Sequence, residues 1–393
     1  MMQVNQKTVL YFDYNATTPV DPGVLETMLP WFSEKFGNAA SNSHSYGWEA
    51  AEAVSIAREQ TAQLIGAGKE EIIFTSGATE SINLAIKGVT ECYTKGKHII
   101  TCATEHKAVL DTCASLEKKG FSITYLPVDC KGAVDLNLLQ QSITSSTILI
   151  ALMYANNETG LIHPVKKIGR IAKDRKILFF CDATQAVGKI PVNVLQDEID
   201  LMAFSSHKLY GPKGVGALYV RRKNPRVTIK AQIDGGGHER GLRSGTLNVP
   251  GIVGFGKACS IAGIEMKDRE AKLIELRNRL ESAILSLGGV TVNGNNLHRL
   301  PNTSNLCFSQ LHGPGLLSAL SKIMAVSGGS ACTSASPYPS HVLKAMGFSD
   351  ADSKNSVRFS LGVFNTKEEI DFAVSEIKNI LNPLRSMGAG FDA

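Results

Sequence analysis

Seven apolar runs, each ending in a polar or glycine-rich loop and interspersed with helical patterns, constrain this chain more than any other feature. They are Glu71-Ile-Ile-Phe-Thr-Ser, His98-Ile-Ile-Thr-Cys, Phe121-Ser-Ile-Thr-Tyr-Leu, Thr147-Ile-Leu-Ile-Ala-Leu-Met, Ile177-Leu-Phe-Phe-Cys-Asp, Leu201-Met-Ala-Phe-Ser and Val215-Gly-Ala-Leu-Tyr-Val. Strands that are apolar on both faces, with helices such as Trp48 to Leu64 and Val165 to Lys173 between them, read as a mostly parallel sheet covered by helices. The fold class is therefore α/β. From about Ile252 the pattern changes to a long charged amphipathic helix reaching Leu285, then to shorter strands and helices, as expected of a bridge into a smaller α+β domain. The last helix begins at a capping box, Thr366-Lys-Glu-Glu369, and carries apolar residues at helical spacing to Leu384. A chain of 393 residues is longer than one core usually supports, which agrees with two domains.

The longest apolar run, Thr147 to Ala155, falls short of the ~18 residues of a membrane span, and the N-terminus has no basic region followed by an apolar one. A cytoplasmic protein without a membrane segment is the expectation. A net charge of +5, with no Lys/Arg cluster interleaved with aromatics, neither implies nor excludes direct nucleic-acid binding. The eight cysteines never pair as C-x-x-C, which argues against zinc and against a disulfide framework, so no metal site is expected. Most of them read as inert core residues. Cys332 stands apart, in Ser327-Gly-Gly-Ser-Ala-Cys-Thr-Ser-Ala-Ser336, a stretch too poor in bulky apolar groups to be a packed strand.

In parallel sheets ligands gather at the carboxyl ends of strands. After the Ile72 run comes Thr75-Ser-Gly-Ala-Thr-Glu-Ser81, a small-residue turn opening a helix, whose free N–H groups and Thr79 hydroxyl suit a phosphate. Turn chemistry alone would also explain it. After Cys181 comes Asp182-Ala-Thr-Gln185, a carboxylate directly behind a buried strand, which a helix cap would also explain. After Phe204 comes Ser205-Ser-His-Lys-Leu-Tyr-Gly-Pro-Lys213, where Lys208 suits Schiff-base chemistry better than Lys213, which a Gly-Pro turn should carry outward. The fourth end is Ala155-Asn-Asn-Glu-Thr-Gly160, and His106 lies in Thr104-Glu-His-Lys. Jointly these supply a phosphate seat, a carboxylate for a ring nitrogen, a Schiff-base lysine and an aromatic to stack on a ring, the four provisions that pyridoxal 5′-phosphate needs.

With these residues in view, the chain resembles the cysteine desulfurases of the NifS/IscS type, in the class V aminotransferase group of fold-type I pyridoxal phosphate enzymes. The likeness runs from Tyr11-Phe-Asp-Tyr-Asn-Ala-Thr-Thr-Pro19 to Ser356-Val-Arg-Phe-Ser-Leu-Gly362. It includes Phe36-Gly-Asn, Thr75-Ser-Gly-Ala-Thr-Glu-Ser, Glu105-His-Lys-Ala-Val, Asn156-Asn-Glu, Asp182-Ala-Thr-Gln, Ser206-His-Lys and Gly235-Gly-Gly-His-Glu-Arg-Gly-Leu-Arg-Ser-Gly-Thr246. The resemblance implies a large cofactor domain over residues 16–260 and a smaller one over 1–15 and 261–393, carrying a catalytic cysteine loop at about 325–337. It implies Lys208 as the cofactor's Schiff-base partner, Asp182 at the pyridinium nitrogen and Gln185 near the phenolic oxygen. His106 would stack on the ring and assist proton transfer. Thr79, Ser205 and His207 would hold the phosphate, joined by Thr246 from a second subunit, so that a homodimer shares its active sites, and Ala78 and Asn157 would also contact the cofactor. Asn157 and Arg358 would grip the substrate carboxylate, an Arg fork suiting a carboxylate bidentately.

The implied reaction converts L-cysteine to L-alanine. Lys208 removes the α-proton, and the Cys332 thiolate takes the sulfur as a persulfide and passes it to an acceptor protein. Two adjacent glycines before Ser330 and small residues after Cys332 suit a tether that collects sulfur at the cofactor and delivers it elsewhere. Ala39, Ser206 and Gly328 stand where the family often has Pro, Gly and Ser, and none touches an implied role. The acceptor is left open between iron–sulfur cluster assembly, tRNA thiolation and DNA sulfur modification. Alternatives are another pyridoxal phosphate reaction, such as selenocysteine lysis or transamination, and a non-catalytic scaffold of the same fold. Cys332 favours sulfur transfer over the former, and intact Lys208, Asp182 and His106 weigh against the latter.

Overall fold

A computed structural model describes residues 9–309, 311, 315–328 and 339–386. Its strands, in chain order, are β1 (Leu10–Tyr11), β2 (Ile72–Thr75), β3 (His98–Cys102), β4 (Ser122–Leu126), β5 (Thr147–Ala151) and β6 (Leu178–Asp182), then β7 (Leu201–Ser205), β8 (Gly216–Val220), β9 (Val290–Val292), β10 (Thr303–Phe308), β11 (Met324–Ala325) and β12 (Ser356–Ser360). The seven apolar runs of the sequence become β2 to β8 and form one sheet in the order β2-β8-β7-β6-β5-β3-β4. Six of these strands point the same way, and β8 runs antiparallel to both its neighbours, β2 and β7. The reason is reach. Only residues 206–215 separate β7 from β8, and a parallel return needs a crossover of a dozen or more. Gly216, where β8 begins, lies so close to the turn after β2 that a Cβ there would sit 2.7 Å from the Gly77 Cα.

Both faces of the sheet are covered. One face packs Phe179, Cys181, Met202 and Phe204 against the helices Ser45–Leu64 and Val165–Asp174 and the start of a 37-residue helix, Val249–Leu285. The other packs Ile99, Leu149, Phe180 and Leu218 against the helices Ala78–Cys92 and Lys107–Glu117. A third apolar cluster holds Phe12, the far end of the long helix through Leu273, Leu276, Leu280 and Ile284, the core of β10 and β12, and Ile370, Ile377 and Leu381 of the helix Lys367–Ser386. There β9, β10 and β12 form an antiparallel sheet, and β1 pairs parallel with β11, so the first described residues join the last third of the chain. No helix among the described residues is long and apolar enough to cross a membrane.

One core residue makes this packing pH-sensitive. His163, which follows the β5 loop, is 3 % exposed, and among the described residues neither ring nitrogen has a hydrogen-bond partner. Burial pushes its pKa down from 6.5 to about 4, so the folded protein holds the ring neutral while the unfolded chain takes a proton. Its contribution is complete above pH 6.5 and is lost as the pH falls toward 4. Urea unfolding should therefore show His163→Leu losing about 2 kcal/mol less stability than the parent between roughly pH 7 and pH 5. Parallel pH profiles would refute this.

Candidate active site

The carboxyl ends of β2, β3, β5, β6 and β7 meet the start of β8 around a cavity of about 420 Å³. Its wall includes Ala78, Thr79, His106, Asn157, Asp182, Gln185, Ser205, His207, Lys208 and Arg358, ten of the residues singled out in the sequence. Lys213 also borders it, exposed at the edge, so the Gly-Pro turn carries this lysine outward without removing it from the rim.

Each wall residue has a local reason for its place. The helix Ala78–Cys92 is capped at Gly77 and begins on the cavity, so its unpaired first-turn N–H groups and positive dipole end are available to an anion. Glu80 in that turn accepts from Ser76 N–H at 2.8 Å and from Arg243 Nε at 2.9 Å. Although burial works against it, these partners hold its carboxyl below the ordinary glutamate range. Asp182 closes β6, 6 % exposed, and Thr184 donates its N–H and hydroxyl to Oδ1, at 3.0 and 2.5 Å. His106 caps the helix Lys107–Glu117 by accepting the Ala108 N–H on Nδ1 at 3.1 Å, which puts the neutral ring's proton on Nε2. Lys208 follows β7 in a short helical turn and donates from Nζ to the carbonyls of Asn15 (2.8 Å) and Ala16 (2.5 Å).

Positive charge dominates the floor. Burial, together with Lys208, Lys213 and Lys189, pushes the His207 imidazole down to about 4, and its Nδ1 lies 3.1 Å from the Thr17 hydroxyl. Arg358 is 1 % exposed on β12 and donates from Nη1 to the Asn157 carbonyl (3.0 Å) and from Nη2 to Asp13 (2.6 Å). Its Nε–H is buried without a partner among the described residues. An unpaired donor on a buried guanidinium at a cavity wall suits an incoming carboxylate.

The residues fit pyridoxal phosphate on structural grounds. A helix start and Ser205 can meet a phosphate, Asp182 can meet a ring nitrogen, His106 offers an aromatic face, and Lys208 lies within the same cavity. Among the described residues no group of three or more His, Cys, Asp or Glu is placed to hold a metal.

Sequence reading overlooked three contributors. Asn15 joins the cavity from the other end of the chain, its Nδ2 donating to Asn157 O at 3.1 Å and to Thr303 Oγ1 at 2.9 Å. Asp13 pairs with Arg358, and Lys189 stands behind Gln185. For Asp13 and Asn15 the Tyr11 to Pro19 stretch carried the only available signal, because their contacts reach residues more than a hundred positions away. Thr246 is exposed and does not line the cavity of its own chain. Its segment is fastened nearby through Glu239, which Arg58 grips at 2.6 and 2.7 Å, and through Arg243.

Cys332 lies outside the described residues. On one side of its segment, Ser327 pairs with Arg358. On the other, Ser340 donates to Glu158 at 2.5 Å, and His341 Nε2 donates to the Glu105 carbonyl at 2.9 Å. Of the seven described cysteines, five are buried and none lines the cavity. Burial raises Cys102 to about 11, and Cys113 and Cys259 to about 12.

Comparison with known proteins agrees with this geometry. The family described as "Aminotransferase class-V" matches residues 10–372. "Cysteine desulfurase IscS" of Anaeromyxobacter sp. (strain Fw109-5) is 54% identical over 383 residues, 97% of this chain and 94% of that protein. A solved "NIFS-LIKE PROTEIN" superposes with a TM-score of 0.89 at 42% identity, covering 96% of this chain and 100% of the other. A structure titled "SspA in complex with cysteine" superposes with a TM-score of 0.79 at 37% identity, covering 91% and 100%.

Proposed function

The chain belongs to the class-V aminotransferase family and, within it, to the pyridoxal phosphate-dependent cysteine desulfurases, and from that membership we propose a role for each residue of the cavity. The observation that carries the assignment is the convergence of Lys208, Asp182, His106, the helix start at Ala78 and Arg358 on one cavity.

Lys208 holds the cofactor and moves the α-proton of L-cysteine. Asp182 meets the ring nitrogen, oriented by Thr184. Ala78, Thr79, Ser205 and the neutral ring of His207 bind the phosphate. His106 packs on the ring and, with its proton on Nε2, donates it at the substrate. Gln185 meets the cofactor's ring oxygen. Arg358 and Asn157 bind the substrate carboxylate, Asp13 and the Asn157 carbonyl fixing the guanidinium plane. When bound, the cofactor supplies an electron sink that makes the α-proton removable and opens the substrate's sulfur to attack.

The Cys332 thiolate then takes that sulfur. The deeply buried, high-pKa cysteines elsewhere support this reading, as do the anchors of residue 327 to Arg358 of the cavity wall and of residues 340–341 to Glu158 and Glu105, the sequence neighbours of the wall residues Asn157 and His106. An acceptor protein receives the sulfur, and iron–sulfur cluster assembly fits the IscS relatives; the reaction is assigned to the cytoplasm. Thr246 reaches the phosphate of a second copy in a homodimer, consistent with its exposure and its tethered segment. We divide the chain into a large domain at 16–260 and a small one formed by 1–15 and 261–393, which the separate apolar clusters support.

Alanine and sulfide released from L-cysteine in the presence of a reductant test the assignment, and absence of both would overturn it. Arg358→Lys keeps the charge but loses the fork. It should raise KM for L-cysteine roughly ten- to hundredfold with a smaller change in kcat. An unchanged KM would remove Arg358 from the substrate site.

A further inference from the structure

Four residues beyond Gln185, the same turn carries Lys189, whose Nζ donates to Gln185 Oε1 at 2.6 Å and to Asn15 Oδ1 at 2.8 Å. Gln185 in turn donates from Nε2 to the Asn15 carbonyl at 2.9 Å, the same carbonyl that accepts from Lys208. Lys189 thus grips both groups that touch Lys208's anchor, while standing one layer behind the cavity wall. It forms no ion pair among the described residues. On its far side a cavity of about 20 Å³ separates it from Tyr14, Tyr210, Arg269 and Glu270.

We propose that Lys189 is a positioning residue that fixes the Gln185 carboxamide with its N–H end toward the cofactor's ring oxygen and holds Asn15 beneath Lys208. This rests on the reading of Lys208 and Gln185 given above. A carboxamide has an acceptor end and a donor end of nearly equal shape, so its partners decide which end faces the cavity. An ammonium donates only, and therefore selects the oxygen. Gln185 is then left with its donor end for the cavity and the Asn15 carbonyl.

The charge on Lys189 depends on what the cavity holds. Burial, with Lys208 and Arg358 alongside, works against the ammonium form of Lys189 by pushing it well below the usual lysine range. In its favour stand the two carboxamide oxygens on its Nζ, and negative charge arriving in the cavity would stabilise it further. The other groups near this floor are His207, kept neutral, Asp13, engaged by Arg358, and Asp182, engaged by Thr184.

An N–H held toward the ring oxygen favours negative charge there, and a cation behind it disfavours a proton on the neighbouring Lys208 nitrogen. Both effects lower the pH at which that nitrogen loses its proton in the cofactor-bound protein. Removing Lys189 must raise it.

The test is spectrophotometric titration of the cofactor-loaded protein, following its visible band with pH. Lys189→Met should move the midpoint up by about one unit. The same substitution in a Gln185→Ala background should add little, because the amide through which it acts is gone. A midpoint within about 0.2 unit of the parent overturns the inference. So does a full shift persisting without Gln185, which would make Lys189 a charge acting through space alone. Lys189→Gln is the second variant if Met fails to fold, and failure of both to fold would make the role purely structural and also overturn it. If the band of the parent survives Lys208→Ala, the site reading itself falls and takes this inference with it.

Discussion

Lys208→Ala should abolish the visible band of the cofactor-loaded protein and lower alanine formation from L-cysteine at least about a thousandfold. The expectation follows from where the side chain lies. Its Nζ rests on the Asn15 and Ala16 carbonyls in the cavity shared with Asp182, His106 and the helix start at Ala78. Lys213 reaches only the exposed rim of the same cavity, and Lys189 is committed to Gln185 and Asn15. Neither is placed to replace it. Lys213→Ala should therefore leave the band in position, and the pair of variants separates the two lysines that the sequence placed five residues apart.

Cys332→Ala should keep the band and lose the chemistry after it. Mass spectrometry of protein treated with L-cysteine should find no persulfide, and sulfide released with a reductant should fall on the order of a hundredfold or more. The described cysteines sharpen this expectation. A thiol raised to about 11 or 12 by burial, as at Cys102, Cys113 and Cys259, is almost never a thiolate near neutral pH. Cys92 and Cys130 are exposed but lie off the cavity wall. An undiminished sulfide yield from Cys332→Ala would mean that another nucleophile collects the sulfur.

Much of this site was legible because it is built from strand ends. A buried parallel strand announces itself as an unbroken apolar run, and the residue after it must face the ligand edge, so Asp182, Ser205 and Asn157 could be placed without coordinates. The antiparallel setting of β8 left no mark in its own residues and had to come from the ten positions preceding it. Asp13, Asn15 and Lys189 were illegible for a different reason. Asn15 is assembled with Asn157, Gln185, Thr303 and Ser360, contacts that no periodicity encodes. Lys189 shows an ordinary basic residue to the sequence, and only its partners reveal that its amine is spent on two amide oxygens and not on water.

The pairing of Asn15 N–H with the Ser360 hydroxyl, and of β1 with β11, bears on when this protein becomes competent during its synthesis. The anchor of Lys208 leaves the ribosome more than three hundred residues before the strand that fixes it. A nascent chain can complete the large sheet, but its cavity lacks Arg358 and a settled floor until β12 is out. Chains arrested before β12 should therefore bind the cofactor poorly, and loading should follow the emergence of β12.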